Sequence, residues 1–154
     1  MKPIVHRTVI LVTAIIVVIG VYTVYNVNQT IRNSYAVWWV ADMVIEHLKS
    51  NDNNWPVDWN DLRDDFQVCV ERSGQPWTFD ELQNRVTVDF DINGPKLKDS
   101  AQGLAKPNFC VIWLTDGTDS HWASREPNTK ILNYFNGTTP ADPVVTGFGG
   151  SSAE

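Results

Sequence analysis

Few residues in this 154-residue chain have the types and spacing that chemistry needs. Two cysteines, Cys69 and Cys110, are set far apart in sequence. Outside the cytoplasm, two lone thiols in one domain are expected to meet as a disulfide. Closing so long a loop contributes about 4 kcal/mol in the chain-entropy account. The alternative is a pair of buried thiols, since Cys is readily buried. Without a Cys-x-x-Cys motif, redox activity is not indicated. Asp116 and Asp119 bracket Gly117 and Thr118, and carboxylates that close beside a Gly turn can ligate calcium, which takes six to eight oxygens. The spacing is not that of an EF-hand, and Asp-Gly is first of all a turn signal. Asp119, Ser120 and His121 are triad types, but neighbours in sequence rarely converge on one point, and no Gly-x-Ser-x-Gly elbow is present. His47 beside Glu46 reads as a boundary residue, and Asp61, Asp64 and Asp65 as a solvated helix face. No catalytic constellation emerges, so a non-enzymatic protein is expected, with no cofactor beyond the candidate calcium.

The seven Trp offer a different chemistry, that of contact. Large aromatics serve a small domain as core, as membrane-surface residues or as binding anchors. Trp38 and Trp39 are adjacent, so on a helix they point about 100° apart and cannot both enter one core. One of them is the expected partner-binding residue. The charge balance narrows the partner. The net −6 is made of +2 in residues 1–31 and −8 in the other 123, and an acidic body lacks the basic stripe that nucleic-acid phosphates need.

The first element that must position these residues is a membrane segment. From Thr8 to Ile31 no charged residue occurs. At a rise of 1.5 Å per residue, this run spans roughly 36 Å, enough to cross a hydrocarbon layer of about 30 Å. Tyr22 and Tyr25 suit its interface, and Lys2, His6 and Arg7 before it point to a cytoplasmic N-terminus. A buried helix of a soluble domain is rarely apolar on every face for this length. A cleaved secretory signal would have a shorter apolar region ending in a small-x-small site, which is not found here. An uncleaved signal anchor is therefore expected, giving a single-pass membrane protein whose C-terminal domain is periplasmic or extracellular.

Beyond the anchor the pattern turns amphipathic. Val37, Trp38, Ala41, Val44, Ile45 and Leu48 share one helical face, with Asn33, Asp42, Glu46 and Lys49 largely on the other. No Pro or Gly lies between Val21 and Trp55, so one helix is expected to run unbroken until Ser50–Asn54, and Pro56 prevents its resumption. Residues 55–66 read as a tight corner and a short helix capped by Asp58, with Trp59, Leu62 and Phe66 on one face. Gln67–Arg72 reads as a short strand. Thr78 and Glu81 form a capping box for another brief helix. In Arg85–Ile92, Val86, Val88, Phe90 and Ile92 alternate with polar residues, which is a half-buried strand closed by Asn93-Gly94-Pro95. Phe109–Leu114 reads as a central strand, and Thr129–Phe135 as its partner.

This order resembles the type IV pilin and type II secretion pseudopilin superfamily, whose long helix is membrane-embedded in its first half and packs on an antiparallel sheet with its second. Ala41–Leu62, ADMVIEHLKSNDNNWPVDWNDL, is similar to the pseudopilin helix end, where a polar turn and an aromatic-Pro pair precede a short helix ending in Leu. The resemblance implies an α+β, pilin-like fold with an antiparallel sheet of about four strands. It implies a subunit that self-associates, or joins other pilin-like subunits, through its N-terminal helix, and it adds weight to a calcium loop at Asp116 and Asp119. The prepilin-peptidase site of that family, a Gly, a Phe-like residue and a Glu four positions on, is absent, which points to an accessory or membrane-retained relative.

The expected organisation is thus a cytoplasmic stub and anchor over residues 1–31, an extracytoplasmic α+β domain over 32–136, and a flexible Gly-, Pro- and Ser-rich tail over 137–154. The expected function is helix-mediated assembly and display of the outer domain. The competing function is a monomeric membrane-tethered binding module, for which any adequate anchor would serve.

Overall fold

The computed structural model describes residues 2–73, 77–119 and 126–138. In chain order these form α1 (Lys2–Ser50), α2 (Arg63–Ser73), α3 (Phe79–Arg85), β1 (Val86–Val88), α4 (Gly94–Ala101), β2 (Ile112–Leu114) and α5 (Pro127–Phe135). The architecture is α+β, a long N-terminal helix with a small antiparallel sheet.

The unbroken helix expected from the sequence is α1, and its two halves live in different surroundings. Every residue from Val9 to Asn28 is exposed. From Ser34 onward the helix enters the domain, and Ala36, Val37, Val40, Ala41, Met43, Val44, Ile45 and Leu48 are all buried. At 100° per residue these positions cover about 200° of the helix circumference. The anticipated apolar face is thus buried, but against α2, α3, α5 and both strands and not against a sheet alone. After Ser50, Asp52 and Asn53 adopt left-handed backbone (φ 53° and 62°), and the Asn53 N–H returns to the Leu48 carbonyl at 2.8 Å. That bond satisfies a carbonyl the helix end would otherwise leave unpaired. Gly94 packs against this turn: a Cβ there would lie 2.6 Å from the Asn53 carbonyl oxygen.

Two of the expected strands are helices, so the sheet has two strands among the described residues rather than about four. Residues 67–72 belong to α2. Asp64 and Asp65 suit its first turn, where carboxylates meet the positive helix end. Leu62, Phe66 and Cys69 are spaced to face α1 together. Thr129–Phe135 lies in α5, which Glu126 caps by accepting from the Asn128 and Thr129 N–H groups, with Pro127 in the first turn. Its buried residues Ile131, Leu132 and Phe135 then line one face. In both segments a run of seven or fewer residues fitted either period; packing against α1 decided the first and the Glu126 cap the second. Asn93-Gly94-Pro95 ends the strand region as expected, and it also begins α4: the Asn93 side chain accepts from the Lys96 N–H at 2.9 Å. The capping box at Thr78 and Glu81 opens α3, both reciprocal bonds being present. Asp58 makes a turn ahead of α2, accepting from Asn60 and Asp61 N–H groups, and the helix starts only at Arg63.

β1 and β2 pair antiparallel with Val86 opposite Leu114 and Val88 opposite Ile112. Their inward side chains Val86, Val88, Ile112 and Leu114 are buried, while Trp113 faces outward. Trp59, Phe66, Phe79 and Phe90 meet edge to face beside the core, with centroids 5.5–6.0 Å apart. The tail expected to be flexible lies, after Thr138, outside the described residues, as do Ser120, His121 and Trp122.

Candidate functional site: the bare helix and its collar

Val9 to Asn28 form an exposed helical surface, mainly aliphatic as far as Val21 and mixed with Tyr22, Tyr25, Asn26 and Asn28 beyond it. The helix that carries it is the one among the described residues long and apolar enough to cross a membrane. Its two threonine hydroxyls are satisfied within the helix. The hydroxyl of Thr13 donates to the Val9 carbonyl at 2.9 Å and that of Thr23 to the Ile19 carbonyl at 2.8 Å. In hydrocarbon an unpaired hydroxyl would cost several kcal/mol, so this back-bonding removes the main obstacle to burial in lipid. Gly20 is open on its outer side.

Where the helix meets the domain, a collar of polar and aromatic groups surrounds it. The Arg32 and Arg85 guanidinium carbons lie 4.8 and 5.3 Å from the centroid of the Trp77 ring. An Arg85 Nη1–H donates to Asn33 Oδ1 at 2.8 Å. Arg32 stands 3.7 Å from Glu81, and both side chains are nearly half exposed. Glu81 is held mainly by its cap: the Thr78 N–H and hydroxyl donate to Oε2 at 2.9 and 3.0 Å. The Thr78 backbone bond first, then its hydroxyl, keeps the Glu81 carboxyl below its usual range.

Deeper in the domain, polar groups lock elements onto α1. Lys130 of α5 is buried, pairs with Asp42 and lies 3.9 Å from the Trp38 ring centroid. His47 Nδ1 and Asp65 Oδ2 are 3.1 Å apart with both side chains about one-tenth exposed, tying α2 to α1. Burial raises the Asp65 carboxyl above its ordinary range, and the His47 hydrogen bond offsets this only in part. Burial also raises the Tyr134 hydroxyl, which donates to Asn53 Oδ1 at 3.1 Å.

Asn128 has the densest bonding. Its Oδ1 accepts from the N–H groups of Val111 and Ile112 at 2.7 and 3.1 Å, and its Nδ2 donates to the Ile112 carbonyl at 3.0 Å. In the observed register, Ile112 turns both backbone groups away from β1, because the ladder bonds run through the 85–115 and 89–111 pairs. One side-chain amide thus does the work of a neighbouring strand. At the ladder's end, the Trp55 indole N–H takes the Asp89 carbonyl at 2.7 Å, a bond the Val111 N–H would make in a longer sheet.

The residues singled out by sequence are placed as follows. The expected Cys69–Cys110 disulfide is not formed: Cys69 is buried on a helix rather than a strand, and Cys110 stands exposed just before β2. Partial burial, then the Glu126 charge, holds the Cys110 thiol above its usual range. Asp116 and Asp119 are exposed. Asp116 Oδ1 accepts from the Thr118 hydroxyl and N–H at 2.7 and 2.9 Å, closing a turn. The hydroxyl bond first, then the backbone bond, lowers its carboxyl. No group of three or more His, Cys, Asp or Glu converges among the described residues. Trp38 and Trp39 are both half-buried, Trp39 against the core and Trp38 against Lys130. The more exposed indole is Trp113. Asn128 and the Arg32–Trp77–Arg85 collar were not singled out by sequence. Glu126-Pro127-Asn128, a cap followed by Pro, was the available signal for the first.

Comparison with protein-family models, with curated proteins and with solved structures finds no match for this chain.

Proposed function

We propose that this protein is a non-enzymatic, single-pass membrane subunit of the pilin-like kind, acting through assembly of its N-terminal helix and display of an extracytoplasmic domain. The observation that carries this reading is the double use of α1. The same unbroken helix presents a bare aliphatic rod over Val9–Asn28 and forms the centre of the domain from Ser34 to Leu48. Any contact made by the rod in a membrane is thereby transmitted to the domain without a joint. Lipid-embedded helices associate by packing and not by burial from water, so the side-chain contour of the rod selects its neighbours. Lys2, His6 and Arg7 set the N-terminus on the cytoplasmic side.

The test is in-membrane cysteine crosslinking. One Cys at a time is introduced between Val9 and Val24, Cys69 and Cys110 are kept, and a chain without added Cys is the control. Crosslinks, to itself or to another single-span protein, are expected to recur every three to four positions, the period of one helical face. Uniform absence of crosslinks in correctly inserted protein would overturn assembly and leave a plain tether.

A further inference from the structure

We infer that Arg32, Arg85 and Trp77 form a membrane-facing collar that binds the phosphate of anionic phospholipid headgroups; this rests on the membrane-spanning reading of α1. Depth is the first argument. Centred on a hydrocarbon layer of about 30 Å, the uncharged run ending at Ile31 carries Arg32 only about 3–5 Å past its edge. That is the level of the phosphates. Arg85 comes from a distant part of the chain, but its bond to Asn33 holds it at the same level. Both guanidinium groups lie over one indole, so they belong to a single patch.

Preorganisation is the second argument. Cation–π contact with Trp77 holds both guanidinium groups in place without using up their N–H donors, whose fork matches phosphate oxygens in pairs. Arg85 uses one such N–H on Asn33. Arg32 has Glu81 at 3.7 Å, beyond hydrogen-bond length, and Glu81 Oε2 is committed to Thr78. Trp77 itself is buried, so the ring acts as a support and the cations as the contact. Glu81 is the competitor at this patch. A phosphodiester without its own amine displaces it best, which selects anionic over zwitterionic lipid.

The experiment takes the full chain in detergent micelles supplemented with phosphatidylglycerol or phosphatidylcholine, and counts retained lipids by native mass spectrometry. Wild-type protein is expected to retain phosphatidylglycerol preferentially. Arg32→Gln and Arg85→Gln should each lower that retention about five-fold, and Glu81→Gln, which keeps a capping side chain, should raise it. Arg32 is half exposed and outside the core, so Arg32→Gln carries the test if Arg85→Gln fails to fold by circular dichroism. Retention that ignores the Arg substitutions, or equal retention of the two lipids, overturns the collar. Equal suppression by millimolar inorganic phosphate reassigns the patch to free phosphate and overturns the lipid. Alkaline carbonate extraction separates the two readings. If it releases the wild-type protein from membranes, the membrane reading falls and takes the collar with it. Resistance to extraction with Arg-independent adducts overturns the collar alone.

Discussion

At the scale of single residues, Asp65 is the carboxylate whose environment works against its charge. It is buried between α1 and α2 with His47 at 3.1 Å, and its pKa is raised because burial outweighs that bond, with Glu46 and Asp64 adding repulsion. A folded pKa above the unfolded value of about 3.9 means that the folded state holds the proton more tightly. The stability this contributes is complete below the unfolded value and is lost as pH rises through the folded one. Asp65→Asn keeps an oxygen acceptor for His47 and cannot ionise. Its melting temperature relative to wild type is therefore expected to climb as pH is raised from 3 to 7, measured by circular dichroism across that range. A flat or falling difference would mean that His47 holds Asp65 as a stable anion. Glu81 is the contrasting case: exposed and capped, it favours its charge, and its contribution fades as pH falls through its lowered pKa.

At the scale of elements, α5 is fixed to α1 by a buried ion pair whose Lys130 lies over the Trp38 indole. Removing one member of such a pair strands the other charge, whereas replacing both with apolar groups is often neutral. Lys130→Met is expected to cost about 3–5 kcal/mol, and Lys130→Met with Asp42→Leu to recover most of it, read from denaturant unfolding of the two variants. Equal losses in the single and double variants would show that Trp38 and the α5 packing, not Asp42, hold Lys130. This scale is also where the sequence was hardest to read. The long helix, the Thr78–Glu81 cap and the pairing segments of β1 and β2 were legible, because each has a strong local signal: an uncharged run, a reciprocal cap, an alternation. α2 and α5 were not. Val68 and Val70 favour strand locally, and Ile131 and Leu132 fit either period, so tertiary contact with α1 and the Glu126 cap made the choice. The collar was invisible for a different reason, since Arg85 and the Asn33 it bonds are 52 residues apart in sequence and only folding brings Arg85 to the ring beside Arg32.

At the scale of the whole molecule, the proposed membrane span makes the continuity of α1 the feature that would set how the domain stands on the membrane. A flexible Gly-Gly-Ser-Gly insertion between Asn28 and Gln29, where the helix is still outside the core, should leave domain unfolding within about 0.5 kcal/mol of wild type. The same insertion should sharply lower the fluorescence anisotropy of a domain-attached probe in vesicles. Unchanged anisotropy would mean that the domain is held by its collar and not by the rod. The side-chain amide that closes the outer edge of β2 has its own consequence at this scale. With Asn128 occupying both backbone groups of Ile112, a strand from a neighbouring molecule has no ladder to continue there. Copies of the chain brought close together are thus steered away from fusing sheet to sheet at that edge.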